Sequence, residues 1–268
     1  VISMNAPLIT VLTPTYNRQD TLGRLWESLC AQTQALPFEW LLVDDGSTDD
    51  TKIWFDRIHK PSHIQAQYVK QANHGKHVAI NAGVRRARGE WIFIVDSDDA
   101  LTTYAIETVL SDDSQMKVNP RLVGLSYRKS TLNGALVGRA VEKQEPMLLK
   151  PNEAGALFQG DLAYIFRKTA LVENPFPVIA NEKFVPELLI WNKIADNGDI
   201  LYFPQTSIYL CEYLPDGYSA TFKSMLRRNP RGFSLFYRDQ IRRLNLGVRW
   251  IKAAIRYCQC QFYGWTKP

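Results

Sequence analysis

The sequence predicts an α/β fold in which a mostly parallel β-sheet carries helices on both faces. Within about the first 110 residues, a short apolar run is followed four times by a polar loop and an amphipathic helical pattern. The chain of 268 residues, 46% of them hydrophobic, is long enough to bury a sizeable core. Its composition excludes a disordered, collagen-like or coiled-coil protein.

The first two repeats are predicted in residues 8–58. A strand at residues 8–12 ends in a turn-forming segment, residues 13–18, and a strand at residues 38–43 ends in Asp44-Asp45-Gly46-Ser47. A helix is predicted after each of these segments, because apolar residues recur there at the spacing of one helix face. The face of the first helix consists of Leu22, Leu25, Trp26 and Leu29.

The next two repeats follow the same order. A strand at residues 66–69 leads into Asn73-His74-Gly75-Lys76 and a helix that ends near Gly89. A strand at residues 91–95 runs directly into Asp96-Ser97-Asp98-Asp99. Because ligands of parallel sheets bind beyond the carboxyl ends of the strands, the four polar segments are expected to converge on one site.

The second half of the chain has a less regular pattern. Alternation continues at residues 122–127 and 136–141, and residues 186–195 predict a helix. No linker or repeat separates this half from the first, so we expect it to complete the same domain. Residues 1–3, which precede Met4, are left out of this prediction.

The net charge of +5, from 32 basic and 27 acidic residues, hides a strong asymmetry. Residues 223–268 hold 11 Lys and Arg but a single acid, Asp239, a balance of +10, and the remainder carries −5. Basic helices with interleaved aromatic residues can lie on anionic membrane surfaces, which is one interpretation of these residues. A tail helix docked on the body with solvated arginines is the alternative, and nucleic-acid binding is the least favoured.

The cysteines and apolar runs indicate a cytoplasmic protein. Four cysteines without a CxxC pair fit neither a disulfide framework nor a zinc site, so a reducing compartment is expected. There is no apolar run of about 18 residues for a membrane span and no signal-peptide pattern at the N-terminus.

Three carboxylates at the end of one strand favour a cation. Asp96, Asp98 and Asp99 would repel one another unless Mg²⁺ or Mn²⁺, bridged to a diphosphate, lay between them. A turn that caps the helix predicted near Thr102 explains the same residues without a metal. Their place beside the other polar segments favours the metal.

The remaining segments offer groups for a nucleotide. Asp44 and Asp45 can accept hydrogen bonds from a ribose hydroxyl or a base N–H, and Tyr16 offers a flat ring for a base. Lys76 can meet a phosphate as a point charge. A solvated Asp-Gly turn, an exposed tyrosine and a solvated lysine at a helix start are the structural alternatives.

Four segments together carry a resemblance to a known family. They resemble, in order and spacing, the motifs of the family 2 glycosyltransferases, which have the GT-A fold, a Rossmann-like sheet with helices on both faces. The segments are Thr13-Pro14-Thr15-Tyr16-Asn17-Arg18, Val43-Asp44-Asp45-Gly46-Ser47-Thr48-Asp49, Asn73-His74-Gly75-Lys76 with Asn81-Ala82-Gly83, and Asp96-Ser97-Asp98-Asp99.

This resemblance implies a nucleotide-sugar donor, of the UDP-sugar class in our prediction, and Mn²⁺ or Mg²⁺ held by the DxD-type carboxylates Asp98 and Asp99. It also implies transfer with inversion at the anomeric carbon. Pro14 and Tyr16 would line the base pocket, Asp45 would contact the base, and Asp98 would contact the ribose or the metal. Further predicted nucleotide-sugar-binding residues are Thr13, Arg18, Asp44, Lys76, Asp96 and Ser97.

The second half carries a candidate catalytic base. Residues 182–191 resemble the segment in which such enzymes carry a catalytic Asp or Glu, and within it we favour Glu187. Pro186 suits the first position of a helix, however, and an acid in the first turn also favours the helix dipole. Asp161 is a second candidate acid.

The resemblance divides the chain into a GT-A catalytic domain, residues 4–222, and a basic aromatic helical tail, residues 223–268. Residues 4–118 would bind the nucleotide-sugar and residues 119–222 the acceptor. The predicted activity is transfer of a hexosyl or N-acetylhexosaminyl group to a glycan or lipid-linked acceptor of bacterial surface polysaccharide, at the inner face of the cell membrane. A non-catalytic nucleotide-sugar-binding protein and a nucleotidyltransferase are the alternatives.

Overall fold

The computed structural model describes residues 7–33, 37–116, 119–212 and 222–265. The predicted ranges 4–222 and 223–268 also include residues 4–6, 34–36, 117–118, 213–221 and 266–268, which lie outside the described residues.

The described part of the chain forms nine strands and ten helices. The strands are β1 (Ile9–Thr15), β2 (Phe38–Asp44), β3 (Ile64–Lys70), β4 (Trp91–Ile94), β5 (Ala100–Leu101), β6 (Leu122–Thr131), β7 (Met147–Leu148), β8 (Leu162–Arg167) and β9 (Asp199–Cys211). The helices are α1 (Gln19–Cys30), α2 (Thr51–Arg57), α3 (Lys76–Arg86), α4 (Ala105–Met116), α5 (Pro151–Phe158), α6 (Lys168–Glu173), α7 (Leu188–Asn197), α8 (Phe222–Arg228), α9 (Pro230–Arg243) and α10 (Val248–Trp265).

The strands form one sheet in the order β3-β2-β1-β4-β8-β6-β9-β5, with β7 paired to β9. The four predicted repeats form its parallel half, because β1 pairs in parallel with β2 and β4, and β2 with β3. The polar segments that follow these strands therefore lie at one edge. The predicted α/β architecture is confirmed.

The second half of the chain extends the same sheet with mixed pairing. β8 joins β4 antiparallel, β6 pairs antiparallel with β8 and parallel with β9, and β5 pairs antiparallel with β9.

The alternating residues 136–141 do not form a strand of this sheet. Leu136 makes an isolated bridge to Ser130. The carbonyls of Val137 and Arg139 accept hydrogen bonds from the buried guanidinium of Arg128 at 2.9 Å, so they are satisfied by a side chain and not by a neighbouring strand.

Side chains alternate between two apolar layers, one on each face of the sheet. On β1, Ile9 and Val11 pack in the layer that contains α1, α2 and α4, whereas Leu12 packs in the layer that contains α3, α5, α6 and α7. Trp40 lies at the centre of the first layer, where it stacks on Trp26 with ring centroids 4.9 Å apart. Helices thus cover both faces of the sheet and leave its edge to the polar segments.

The basic tail folds into α8, α9 and α10, and α9 packs against α7 and the apolar layer that contains it. The buried carboxylate of Glu182 accepts hydrogen bonds from the backbone N–H groups of Arg231 and Gly232 at 2.9 and 2.8 Å, at the start of α9. Arg243, near the end of α9, forms ion pairs with Asp196 at 2.6 Å and with Asp239 at 2.7 Å. The helical tail is confirmed, and both ends of α9 are fixed by charge.

None of the described helices combines the length and the apolar character needed to cross a bilayer.

Gly75 precedes α3 in a backbone conformation that requires glycine. Its φ is +96°, and a Cβ there would lie 2.0 Å from the carbonyl oxygen of Lys183. The start of α3 and the segment before α7 are thereby brought into backbone contact.

We expect Gly75→Ala to lower the free energy of unfolding by about 2–6 kcal/mol, because a strained φ and overpacking each cost about 1–3 kcal/mol. Urea denaturation followed by circular dichroism would measure the change. Gly23→Ala in α1 is the matched control, since no heavy atom lies within 4 Å of its added Cβ. That variant is expected to gain about 0.5–1 kcal/mol, and equal effects of the two substitutions would contradict the prediction.

Candidate active site

Asp45 ties together two of the polar segments at the sheet edge. Its Oδ1 accepts hydrogen bonds from Gln71 Nε2 at 2.7 Å and from the N–H of His74 at 2.9 Å, and its Oδ2 accepts one from the N–H of Gly75 at 2.7 Å. The side chain is only 3% exposed. A carboxylate has about four acceptor sites, so Asp45 can still accept one bond from a base.

The neighbouring Asp44 is fully buried and directed into the protein. Its carboxylate accepts hydrogen bonds from the N–H of Ser47 at 2.7 Å and from the hydroxyl of Tyr68, and Lys70 Nζ lies 3.9 Å away. These contacts fix the Asp-Gly turn and raise the pKa of Tyr68, whose burial is the larger cause. The structure therefore places Asp44 as a support of the pocket wall.

The first polar segment presents a mixed surface. The Thr13 side chain is buried and its Oγ1 accepts a hydrogen bond from Trp40 Nε1 at 3.2 Å, so it lies in the core. Pro14 is also buried, whereas Tyr16 is 47% exposed and Arg18 is partly exposed. Tyr16 therefore has the free ring face that stacking on a base requires.

Asn17 was not singled out from the sequence, although it holds two segments together. It has a positive φ of 50°, its N–H donates to Ser47 Oγ at 2.9 Å, and its Oδ1 accepts from the N–H of Thr48 at 2.8 Å. Asparagine tolerates this left-handed conformation better than most residues. The asparagine that follows the Thr-Pro-Thr-Tyr turn is the signal that could have identified this role.

A lysine and two carboxylates form the centre of the site. Lys76 Nζ lies 2.6 Å from Asp96 Oδ1 and 2.8 Å from Glu187 Oε1. Asp96 follows β4 in the first half of the chain, and Glu187 stands immediately before α7 in the second. The ion pairs therefore connect the predicted donor-binding half to the predicted acceptor-binding half.

The charges of this cluster stabilise one another. Burial alone would lower the pKa of Lys76, but Asp96 and Glu187 raise it well above its ordinary value, so the ammonium persists at neutral pH. Burial alone would raise the pKa of Asp96, but Lys76 and Lys129 bring it below its ordinary value.

Asp99 is held by two hydrogen bonds inside the protein. Tyr209 Oη donates to its Oδ2 at 2.7 Å, and the N–H of Glu212 donates to its Oδ1 at 3.3 Å. The same Tyr209 oxygen accepts from the N–H of Asp96 at 3.0 Å. Burial, with the charge of Asp96, raises the pKa of Asp99 to about 6.

Asp98 is the member of the acidic segment that stays open. It is partly exposed, and it makes no salt bridge with any residue that the structure describes. Burial and the nearby Asp96 raise its pKa above its ordinary value. A cation beside Asp98 would remove this penalty.

The donor set fits a metal ion only with help from a ligand. Among the described residues no group of three His, Cys, Asp or Glu side chains is close enough to hold a metal by itself. Mg²⁺ is often bound by one or two carboxylates together with substrate phosphates, which is the arrangement that Asp98 allows. Asp99 would bind the same metal ion only through carboxylate oxygens that already accept hydrogen bonds from Tyr209 and Glu212. Ser97, which is buried, lies between the acidic residues of this segment.

The cleft beside Lys76 contains residues that the sequence did not identify. Lys129 Nζ lies 3.8 Å from the ring centroid of Tyr209. Its positive charge also helps to lower the pKa of Asp96. These residues come from β6 and β9, and no local motif marks them. The cleft is lined by Lys76, Ile94, Asp96, Lys129, Leu162, Ala163, Tyr164, Glu187, Trp191 and Tyr209.

Two other acids of the second half, Asp161 and Glu182, are not among the residues that line the cleft. Asp161 is exposed just before β8. Glu182 is buried against the start of α9 and is therefore occupied. Glu187 is the candidate base that the structure brings to the cleft.

The sheet, with helices on both faces, has the GT-A architecture. S. aureus TarS residues 1–349, solved in complex with UDP-GlcNAc, superposes with a TM-score of 0.68 at 18% identity, over 96% of this chain and 72% of that one. The mannosyltransferase PcManGT from Pyrobaculum calidifontis, in complex with GDP-Man and Mn²⁺, superposes with a TM-score of 0.58 at 17% identity, over 97% of this chain and 74% of that one.

Sequence relatives agree with this class. Residues 10–118 match the model of glycosyl transferase family 2. The GalNAc(5)-diNAcBac-PP-undecaprenol beta-1,3-glucosyltransferase of Campylobacter jejuni is 27% identical over 190 residues, 69% of this chain and 59% of that protein. The chondroitin synthase of Escherichia coli is 37% identical over 106 residues, 40% of this chain and 15% of that protein. The chain thus spans less than two thirds of either curated relative.

We expect Lys76→Met to lower the free energy of unfolding by about 1–3 kcal/mol, because it leaves two partly buried carboxylates without their shared cation. Urea denaturation would measure the loss, and adding Glu187→Gln should recover part of it.

The matched control is Lys52→Met, which removes an exposed i,i+4 pair with Asp56. A change of about 0.5 kcal/mol or less is expected there. If the two lysine variants lost equal stability, the central role of Lys76 would be wrong.

Proposed function

We propose that the protein is an inverting glycosyltransferase that moves a hexosyl or N-acetylhexosaminyl group from a UDP-sugar to a hydroxyl of a glycan or lipid-linked acceptor of bacterial surface polysaccharide. The observation that carries this proposal is the placement of Glu187 in one cleft with Asp96, to which it is joined through Lys76. The candidate base Glu187, from the second half of the chain, is thereby held close to Asp96 in the acidic segment of the first half.

The names of the relatives support the substrate classes. The C. jejuni relative is named for glucosyl transfer to a glycan on undecaprenyl diphosphate, and TarS was solved with UDP-GlcNAc. The donor in the P. calidifontis structure is GDP-Man, so the fold alone does not select one nucleotide. A UDP-sugar and a lipid-linked or glycan acceptor are the choices that most of these proteins support.

In the proposed reaction an acceptor hydroxyl attacks the anomeric carbon from the face opposite the nucleoside diphosphate. Glu187 takes the proton of that hydroxyl, and the ammonium of Lys76 at 2.8 Å holds the carboxylate in place. The carbon–oxygen bond to the diphosphate breaks as the new glycosidic bond forms, which inverts the anomeric configuration. The ion pair between Lys76 and Asp96 fixes the position of Glu187 relative to the donor-binding half of the chain.

Mg²⁺ or Mn²⁺ would be held by Asp98 and the diphosphate oxygens, with Asp99 as the second candidate ligand. When bound, the cation would neutralise the charge that grows on the departing diphosphate.

The donor itself would be held by the other polar segments. We propose that Pro14 and Tyr16 line the base pocket and that Asp45 accepts a hydrogen bond from the base. Thr13 and Asp44 would support the base pocket from inside the protein and not contact the donor, since their side chains are buried. Arg18 and Ser97 would complete the nucleotide-sugar site.

We also propose that residues 223–268 place the enzyme at the cytoplasmic face of the cell membrane. The acid-poor composition of these residues supports this placement. A docked tail does not oppose it, because an amphipathic helix can pack on a body with one face and meet lipid with another.

Glu187→Gln should lower sugar transfer by about 10²–10⁴-fold while UDP binding stays nearly unchanged, because the base is lost and the shape is kept. UDP release from UDP-GlcNAc, UDP-Glc and UDP-GalNAc with Mn²⁺ would identify the donor and measure the effect, and calorimetry would measure UDP binding. The exposed Glu173→Gln is the control. Wild-type turnover of Glu187→Gln would move the base to another acid, whereas UDP-sugar binding without any turnover of the native protein would favour a non-catalytic binding protein.

Asp98→Asn should weaken Mn²⁺-dependent UDP binding by at least about tenfold, since loss of even an outer partner of a metal site costs about 10–100-fold in metal affinity. Calorimetry with UDP, with and without Mn²⁺, is the measurement. Asp99→Asn run in parallel shows whether Asp99 is a second ligand. Asp56→Asn, an exposed acid on α2, controls for general charge. Unchanged metal-dependent binding in Asp98→Asn would remove Asp98 from the metal site.

A further inference from the structure

A second cavity lies apart from the cleft, between α5, α7, α9 and α10. Its volume is about 390 Å³, within the range of about 300–1,000 Å³ that is typical of small-molecule sites. Its wall is largely apolar. The lining residues that the argument uses are Gly155, Leu188, Phe236, Gln240 and Leu244, with the basic residues of α10 at its side.

Three basic residues of α10 line this cavity. They are Arg249, Lys252 and Arg256, and no acidic residue is among the lining residues. Within the described ranges, none of the three forms a salt bridge with a carboxylate. Phosphate is the group that such a cluster would bind, through charge-assisted hydrogen bonds.

A buried donor in the cavity wall also lacks a partner. Gln240 is 8% exposed, and in the described part of the chain its Nε2 has no hydrogen-bond partner. A buried amide N–H without a partner is unfavourable, and such groups are rare unless a ligand satisfies them. An oxygen-bearing ligand inside the cavity would satisfy Gln240.

The outer side of α10 is apolar and exposed. Val248, Ile251, Ile255 and Phe262 recur at helical spacing, and each is more than half exposed. The helix contains no Asp or Glu, and its three basic residues flank this stripe toward the cavity. An apolar stripe beside a basic flank is the arrangement of helices that lie in the surface of an anionic bilayer.

We propose that the cavity binds a phosphate-bearing lipid of an anionic membrane. The stripe of α10 lies in the bilayer surface, the lipid phosphate contacts Arg249, Lys252 and Arg256, and one acyl chain enters along Leu188, Phe236 and Leu244. Gln240 donates to a phosphate or ester oxygen of the same lipid. The proposal rests on the proposed function only in its membrane partner and not in its sugar chemistry.

This placement would put the lipid surface next to the catalytic cleft. Leu188 lines the cavity, and Glu187, the preceding residue, lines the cleft. A lipid-linked acceptor held in the same bilayer would reach Glu187 over the first turn of α7.

The test is flotation of the full chain with vesicles of phosphatidylcholine alone and with vesicles of equimolar phosphatidylglycerol and phosphatidylcholine. Binding is expected only to the anionic vesicles. The variant Arg249→Gln/Lys252→Gln/Arg256→Gln should weaken it on the order of 100-fold. Lys223→Gln/Arg238→Gln/Arg242→Gln, which removes three exposed charges outside the cavity, is the matched control and should lose much less.

Two variants test the cavity while the charge is kept. Gly155→Leu fills it, since no heavy atom lies within 4 Å of an added Cβ, and Gln240→Met removes the donor. Calorimetry with dihexanoyl phosphatidylglycerol below its micellar concentration should show about tenfold weaker binding in both. Gly23→Leu, equally open and remote on α1, should bind as the native protein does. Thermal melting verifies that each variant is folded.

Three outcomes would overturn the proposal. Equal losses in the two charge variants would mean diffuse electrostatic binding, equal binding of inorganic phosphate would mean a soluble-anion site, and self-association through α10 in sedimentation would mean a second copy as occupant. UDP-sugar hydrolysis without vesicles should be the same in all of these variants. Hydrolysis without flotation would therefore reject this inference and the proposed membrane placement but not the sugar chemistry, and flotation without hydrolysis would reject the enzymatic proposal alone.

Discussion

The ion pairs of Lys76 with Asp96 and Glu187 are the interaction on which the site depends. They join Asp96, from the first half of the chain, to Glu187, from the second half, through one lysine. Their geometry is set by backbone contacts, because Asp45 holds the N–H of Gly75 and the missing side chain of Gly75 lets the carbonyl of Lys183 approach the start of α3. A lysine at the first position of α3 can then reach a carboxylate on either side.

Crowding of acidic groups explains why each carboxylate of the fourth segment has a different environment. Three like charges close together cannot all remain ionised at low cost in a partly buried site. Lys76 compensates Asp96, and Tyr209 with the N–H of Glu212 supports Asp99. Asp98 is left with a raised pKa and an open side. One acidic segment thus provides a structural ion pair, a buried hydrogen-bonded acid and a position for a cation.

The sequence predicted the parallel half of the sheet well, because its strands, turns and helices are specified by local patterns. The helix face of Leu22, Leu25 and Leu29, for example, is buried as expected. It could not predict that Asp44 points into the protein, since an Asp-Gly turn reads the same whether its carboxylate is solvated or bound by Tyr68. Lys129 and Tyr209 also escaped prediction, because they reach the cleft through strand pairing between distant parts of the chain.

The basic tail and the acidic cleft are connected through contacts of one short segment, residues 182–187. Glu182 fixes the start of α9, the carbonyl of Lys183 meets Gly75, and Glu187 reaches Lys76, all within one short segment. A shift of α9 would therefore pull on the residues that position Glu187. Because every link is a buried hydrogen bond, a backbone contact or an ion pair, the segment has little freedom to absorb such a shift. Residues 182–187 thus contact both parts of the protein, the basic tail through the start of α9 and the acidic cleft through Gly75 and Lys76.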